Sequence, residues 1–436
     1  MNLIASGIRA AAALTVLAVM TAGSTGAARP AASSAPTAAI RSAELPELAG
    51  LGPLAIGTAR YDLPVGARTI GVRLWYPARA AKPGTRAEVY RHTARLASAP
   101  PYPITEQGSA VGKAAALGGS YPLLVMSHGF GGWDTQMSQL AEALASHGYV
   151  IAAIDHRDAP FTDVPSFLGS FGAVLVNRAD DQRAVLRRLL AGQLGAADVV
   201  AETDRASIGL IGYSMGGYGA LTTAGAALDP QAPALAQLPG PARQLAVRAD
   251  VELAGRIKAV VALAPWGAQP SARAWSDDGL RGLTAPLLLI DGNLDDVADY
   301  TQGVQRVFAT AVRADRYLLT FRSAGHNIAG NPVARRGDEA FSTIEYFNDP
   351  VWRQERIVAI DQHFILAFFD AMLKHDIPKL RYLAVPTQVS DDGQWPSAFR
   401  QQWGGTVAGD AQPGYWRGFQ RRWARGLELD HRRAGD

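Results

Sequence analysis

The sequence predicts an α/β fold, with a mostly parallel central sheet and helices on both faces. Three observations predict it. Apolar runs of strand length recur along the chain without polar alternation, as expected of strands buried on both faces. Amphipathic stretches of helical period separate them, the arrangement that builds parallel sheets through crossover helices. Hydrophobic residues make up 48% of the 436 and charged residues 19%, a balance suited to a large packed core and unlike that of a disordered chain.

The elements follow in order. "TIGVRLWYPA" from Thr69 is β-branched and aromatic, and reads as an antiparallel strand near the sheet edge. The continuous apolar runs are "YPLLVMSHG" from Tyr121, "YVIAAIDH" from Tyr149, "ASIGLIGYS" from Ala206, "IKAVVALAPW" from Ile257, "APLLLIDG" from Ala285 and "RYLLTFRS" from Arg316. Between them, "DTQMSQLAEALASHG" from Asp134 opens on a capping residue and closes on Gly148. "RADDQRAVLRRLLAG" from Arg178 puts Val185, Leu186, Leu189 and Leu190 on one face, and "DQHFILAFFDAMLKHD" from Asp361 is a third helix with an apolar stripe. In sheets of this kind ligands bind beyond the carboxyl ends of the strands.

The ends of the chain differ from this body. Residues 1–28 carry one positive charge, Arg9, then an uncharged Ala/Leu/Val run that ends in small residues. They read as a secretory signal peptide; the run is too weakly apolar for a good membrane anchor. Residues 29–50, rich in Pro, Ala and Ser, read as a solvated leader, and residues 51–375 as the main α/β domain. In residues 376–436 four of the nine Trp fall between Trp395 and Trp423, which predicts an extension that packs on the domain. The chain has no Cys, which excludes disulfides, thiolate metal sites and a Cys nucleophile. Its 42 basic and 39 acidic residues are interspersed, so no nucleic-acid footprint is visible. A secreted or periplasmic protein with no stable membrane span after signal removal is the expectation.

One stretch carries chemistry. Gly212-Tyr213-Ser214-Met215-Gly216 joins an apolar run to a small-residue helix in the pattern G-x-S-x-G. Composition alone would produce that pattern about 0.2 times in a chain of this length, so the setting matters more than the match. A sharp strand-to-helix turn forces the serine into a strained conformation that tolerates only small neighbours and lifts its hydroxyl above the sheet. A dinucleotide or Walker loop does not fit, because the glycines fall inside the helix and no Lys-Ser/Thr pair follows.

A serine hydroxyl needs a base to take its proton and an acid to orient that base. After the elbow, "DGNLDDVADY" follows one apolar run and "RSAGHNIAG" the next. Asp295, three residues past Gly292, is the expected acid, with Asp296 the alternative; His326, on a Gly-flanked loop, is the expected base. A calcium loop would need Gly and Glu where Asp296 and Gln302 stand. The Gly-rich turn "SHGFGGWD" is placed to supply an oxyanion donor, with Phe130 N–H first and Met215 N–H second. His128 reads as orienting this turn, since no H-E-x-x-H spacing supports a metal. The reading calls for no metal and no cofactor.

Together, "SHGFGG", "ASHGYVIAAIDHRD" and "GYSMGGYGA" resemble the α/β-hydrolase superfamily. Within it they are similar to bacterial relatives of platelet-activating factor acetylhydrolase and to predicted dienelactone hydrolases, over about residues 55–374. The resemblance implies hydrolysis of a small-molecule or lipid-like carboxylic ester through Ser214, Asp295 and His326. True dienelactone hydrolases use Cys, which is absent here. In the acetylhydrolases the acid follows the earlier strand, where this chain has "ALAPWG". "ALAPW" is also similar to cutinase-like polyester hydrolases, whose tryptophan lines the acyl site, which makes Trp266 a substrate-contact candidate beside a core-packing role. "DHRD" from Asp155 to Asp158 reads as bracing the strand ends. A serine peptidase of the same fold, a polyester hydrolase and a non-catalytic binding protein are the alternatives. Three segments are expected to shape the pocket: "FTDVPSFLGSFGAVLV", "LDPQAPALAQLPGPARQ" and "NPVARRGDEAFSTIEYFNDPVW".

Overall fold

A computed structural model describes residues 44–95, 101–236, 238–394 and 414–436. The expected signal peptide, most of the expected leader, Trp395 and Trp403 lie outside the described residues. A compact unit spans Ile40–Asp436.

Twelve strands are assigned in chain order: β1 (Ala55–Val65), β2 (Arg68–Ala78), β3 (Val89–Ala94), β4 (Tyr102–Gln107), β5 (Val111–Gly112), β6 (Tyr121–Ser127), β7 (Val150–Asp155), β8 (Thr203–Tyr213), β9 (Ile257–Leu263), β10 (Leu287–Gly292), β11 (Arg316–Phe321) and β12 (Leu427–Arg432). Ten form one sheet in the order β12-β11-β10-β9-β8-β6-β7-β2-β1-β5, and β3 pairs with β4 in a separate hairpin. From β11 through β7 neighbours run parallel. The predicted antiparallel strand is β2, flanked by β1 and β7. Two apolar layers cover the sheet, one around Leu123, Leu210 and Leu289, the other around Leu124, Ile211 and Ile290. Adjacent residues of one strand thus feed opposite layers, the reason these runs are apolar without alternation.

Five helices matter for the site: α1 (Ser138–Ser146), α2 (Val164–Leu190), α3 (Met215–Thr223), α4 (Phe341–Phe347) and α5 (Gln354–Leu373). Two differ from the sequence reading. Helix α1 starts later than Asp134 because that carboxylate, 3.1 Å from both Arg60 Nε and Arg73 Nε, binds strands β1 and β2 rather than capping. Helix α2 takes in most of the segment expected to be a pocket-shaping connection. Asp163 caps it through a reciprocal pair with Ser166, and Pro165 lies in its first turn; together these nucleate a helix that continues through Gly169 and Gly172.

Strand β12 was not anticipated. Its alternation of buried Leu427 and Leu429 with polar neighbours is the period of a strand with one covered face, and it pairs antiparallel with β11. Trp416 and Phe419, just before it, are buried against the α5 side of the sheet. No helix among the described residues is long and apolar enough to cross a membrane.

Candidate active site

Strand β8 ends at Tyr213, and Ser214 follows with φ 53° and ψ −115°. This left-handed backbone costs roughly 1–3 kcal/mol for a residue with a Cβ. The flanking glycines make the turn possible. A methyl on Gly212 would lie 2.2 Å from the Gly216 carbonyl oxygen, and one on Gly216 would lie 2.1 Å from the Ser127 carbonyl oxygen. The elbow is therefore pressed against the end of β6, and its strain is held by the hydrogen bonds from Ser214 N–H to Leu263 O and from Trp266 N–H to Ser214 O.

The loops after β10 and β11 complete a chain of contacts. Ser214 Oγ is 3.0 Å from His326 Nε2, and His326 Nδ1 is 2.7 Å from Asp295 Oδ2. The second oxygen of Asp295 accepts from the N–H groups of Val297 and Ala298 at 2.7 and 2.9 Å. Burial opposes the Asp295 charge, but His326 and the Ala298 N–H outweigh it and hold the carboxyl below its ordinary range. A carboxylate on Nδ1 leaves Nε2 as the acceptor for the serine proton. The His326 loop is fixed by Gly325 N–H donating to Asp349 at 2.8 Å and by Tyr213 O–H donating to the His326 carbonyl at 3.2 Å.

Asp296 is exposed, and the carboxylate hydrogen-bonded to His326 Nδ1 is that of Asp295. Asp291 at the end of β10 is fully buried, and burial followed by the Asp295 charge pushes it well above the carboxylate range.

A search of solved structures finds a ferulic acid esterase from Streptomyces cinnamoneus, 21% identical, covering 76% of this chain and 94% of that one at a TM-score of 0.53. The chain has the α/β-hydrolase fold. Sequence relatives of the chain include a cutinase of Thermobifida fusca, 25% identical over 237 residues, or 52% of this chain and 62% of the cutinase. They include a platelet-activating factor acetylhydrolase of Canis lupus familiaris, 40% identical over 62 residues, or 14% of each chain. The chain thus spans less than two thirds of the length of either relative. The family model described as platelet-activating factor acetylhydrolase, isoform II, matches residues 102–163. That stretch holds the "SHGFGG" turn and "DHRD", and ends before Ser214.

Phe130 follows Gly129 in the turn that lies against Ser214, and Met215 follows Ser214 in the elbow. Met215 opens helix α3, where the N–H groups of the first turn have no partner in the helix. Among the described residues no group accepts from the Phe130 N–H either, and a methyl on Gly129 would lie 3.3 Å from Ser214 Cβ. Trp266 is half-buried; its backbone N–H donates to the Ser214 carbonyl, and its ring packs edge-on to Phe171 at 5.0 Å and Tyr218 at 6.3 Å.

The cleft above Ser214 and His326 is open and has a volume of about 1300 Å³. Residues 332–355 build most of its wall, with Phe341, Ile344, Tyr346 and Val351 supplying apolar surface, and Leu294 and Val297 lie opposite. Of the three segments expected to shape the pocket, only the one after His326 does so. Among the described residues no cluster of three or more His, Asp or Glu side chains is placed to hold a metal.

Sequence reasoning gave "DHRD" only as bracing the strand ends and missed the partners of His156 and Asp158 beneath the "SHGFGG" turn. Buried Arg178 of α2 contacts both the Gly129 carbonyl and Asp158, and Ser127, His156 and Asp181 form a second hydrogen-bonded row under it. The signal was an arginine in the apolar half of an amphipathic helix, level with Leu175, Val185 and Leu186 in burial.

Proposed function

We propose that the protein is an exported serine hydrolase of carboxylic esters, with Ser214 as nucleophile, His326 as base and Asp295 as its orienting acid. The observation that carries this reading is the unbroken path from Ser214 Oγ through His326 to Asp295 on a strained elbow that faces an open cleft. Similarity to cutinases and acetylhydrolases supports it, as does the reading of residues 1–28 as a signal peptide.

In this mechanism His326 Nε2 takes the Ser214 proton as Oγ attacks the ester carbonyl. The carbonyl oxygen becomes an oxyanion facing the N–H groups of Phe130 and Met215, each worth roughly 3 kcal/mol in such a position. His326 then gives the proton to the leaving alcohol, and the acyl-Ser214 ester remains. Water, deprotonated by His326, attacks that ester and releases the acid and free Ser214. Asp295 stays ionised and steadies the imidazolium formed twice in each cycle.

The apolar wall of the cleft suits a substrate with an aliphatic or aromatic group. A polyester is a second reading, favoured by the match to cutinases over 237 residues. The test is turnover of p-nitrophenyl esters from acetyl to palmitoyl, and of a polyester film, by the wild type and Ser214→Ala. Turnover that vanishes in the variant supports the reading. Equal inertness of both folded proteins on every ester removes it, and amide substrates then become the next assay.

A further inference from the structure

The Phe130 N–H shares a peptide unit with the Gly129 carbonyl. In a planar trans peptide the C=O and N–H point in opposite directions, so whatever holds one aims the other. The Gly129 oxygen accepts from three donors: His128 Nδ1 at 2.6 Å, Arg178 Nη2 at 2.8 Å and the Gly132 N–H at 3.2 Å. His128 is the Nδ1–H tautomer, because its Nε2 accepts from the His156 N–H at 3.2 Å. On the other side of Phe130, the Gly131 N–H donates to Asp158 Oδ2 at 2.9 Å. Arg178 closes the circle with bonds to both Asp158 oxygens, at 2.9 and 2.6 Å.

Arg178 is fully buried in the middle of α2. Burial opposes the charge on Asp158 as well, yet Arg178 keeps that carboxyl far below its ordinary range. Such a pair is a poor device for stability, since apolar residues of similar volume usually do as well or better. Its contacts point to a different use. One member grips the residue before Phe130, and the other grips the residue after it.

We propose that Arg178 and Asp158 are positioning residues that hold the Gly129–Gly131 turn so that the Phe130 N–H faces the oxyanion before substrate arrives. This rests on the reading of Ser214 as the nucleophile. The guanidinium also polarises the Gly129–Phe130 amide through its carbonyl, which strengthens the N–H as a donor. Both effects act on the tetrahedral state and leave the bound ester nearly untouched, so the loss on removing them belongs in kcat rather than KM.

The experiment uses the full chain as Arg178→Lys, Arg178→Met and the double variant Arg178→Met/Asp158→Leu, each checked by thermal melting. Steady-state kinetics on a short p-nitrophenyl ester are measured beside inhibition by an alkyl trifluoromethyl ketone, whose serine adduct carries an oxyanion. The double variant leaves no lone buried charge and is expected to fold. Its kcat falls by about 10²-fold, the scale for one oxyanion donor, while KM moves less than about threefold. Trifluoromethyl ketone affinity falls by the same factor as kcat/KM. Arg178→Lys, which keeps the charge and loses the two-pronged grip, recovers part of the loss. A folded double variant with wild-type kcat overturns the proposal, and so does a loss confined to KM or ketone affinity that stays at the wild-type level while kcat falls. The hydrolase reading fails separately, through a Ser214→Ala variant as active as the wild type.

Discussion

Two Ser–His–Asp rows stand among the described residues, and their difference shows what separates an array open to a cleft from a closed one. In the cleft, Ser214, His326 and Asp295 are linked at 3.0 and 2.7 Å. Under the oxyanion turn, Ser127, His156 and Asp181 are linked at 2.8 and 2.8 Å, through the same ring nitrogens in the same order. Distances do not distinguish them. Access does: the His326 side chain is 15% exposed and the His156 side chain 1%. Backbone does too, since Ser214 stands on a left-handed elbow above the sheet, whereas Ser127 is the last residue of a buried parallel strand. Asp181 is further bound by Arg68 at 2.6 Å, so the inner row is a closed network with no face for a substrate.

The comparison can be broken most directly at the two serines. Ser214→Ala is expected to lower ester turnover by roughly 10⁴-fold or more, whereas Ser127→Ala, if folded, stays within about threefold of wild type. Comparable losses in both, measured as kcat/KM, would erase the distinction. A fluorophosphonate that reacts with activated serines sharpens it further: peptide mass mapping is expected to find the adduct on Ser214 and none on Ser127.

A smaller effect concerns folding. His156→Ala leaves Ser127 and Asp181 without their shared partner and is expected to cost about 1–3 kcal/mol in denaturant unfolding. A neutral result would mean that the inner row contributes nothing to stability.

The pH dependence follows from the same burial. Desolvation first, then the Arg178 charge, lowers His128 and His156 below the ordinary histidine value of 6.5. A lowered folded value means that the unfolded chain takes up protons first as the medium turns acid. The stability contributed by neutral His128 and His156 is therefore complete above 6.5 and is lost as pH falls below it. Asp158 and Asp181, both held below the ordinary 3.8, add a second loss of the same sign below that value. Melting temperatures across this range are expected to decline in two stages, and a curve flat from neutral pH down to 3.8 contradicts the histidine part.

How much of this was legible varied by distance along the chain. The strand–elbow–helix unit around Ser214 was legible because each part depends on near neighbours: apolar strand, glycines at two close approaches, small residues in the helix. The length of α2 was misjudged because Gly169 and Gly172 look like breaks, while the Asp163–Ser166 cap that starts the helix is a two-residue signal. The ring contacts of Trp266 with Phe171 and Tyr218, which come from α2 and α3, could not be read from the local string "ALAPW".

By itself the sequence determined the order of the central strands β6 to β11, the elbow and which residue types could serve as nucleophile, acid and base. These are properties of periodicity and of steric limits within a few residues. The tertiary structure decided that Asp295 rather than Asp296 meets His326, because the direction of the loop after β10 assigns one carboxylate to the interior and its neighbour to water. It also decided that Arg178 and Gly129, 49 residues apart, share a hydrogen bond. A charge can be buried only where partners converge from several elements, and the packing of the sheet and helices brings those partners together.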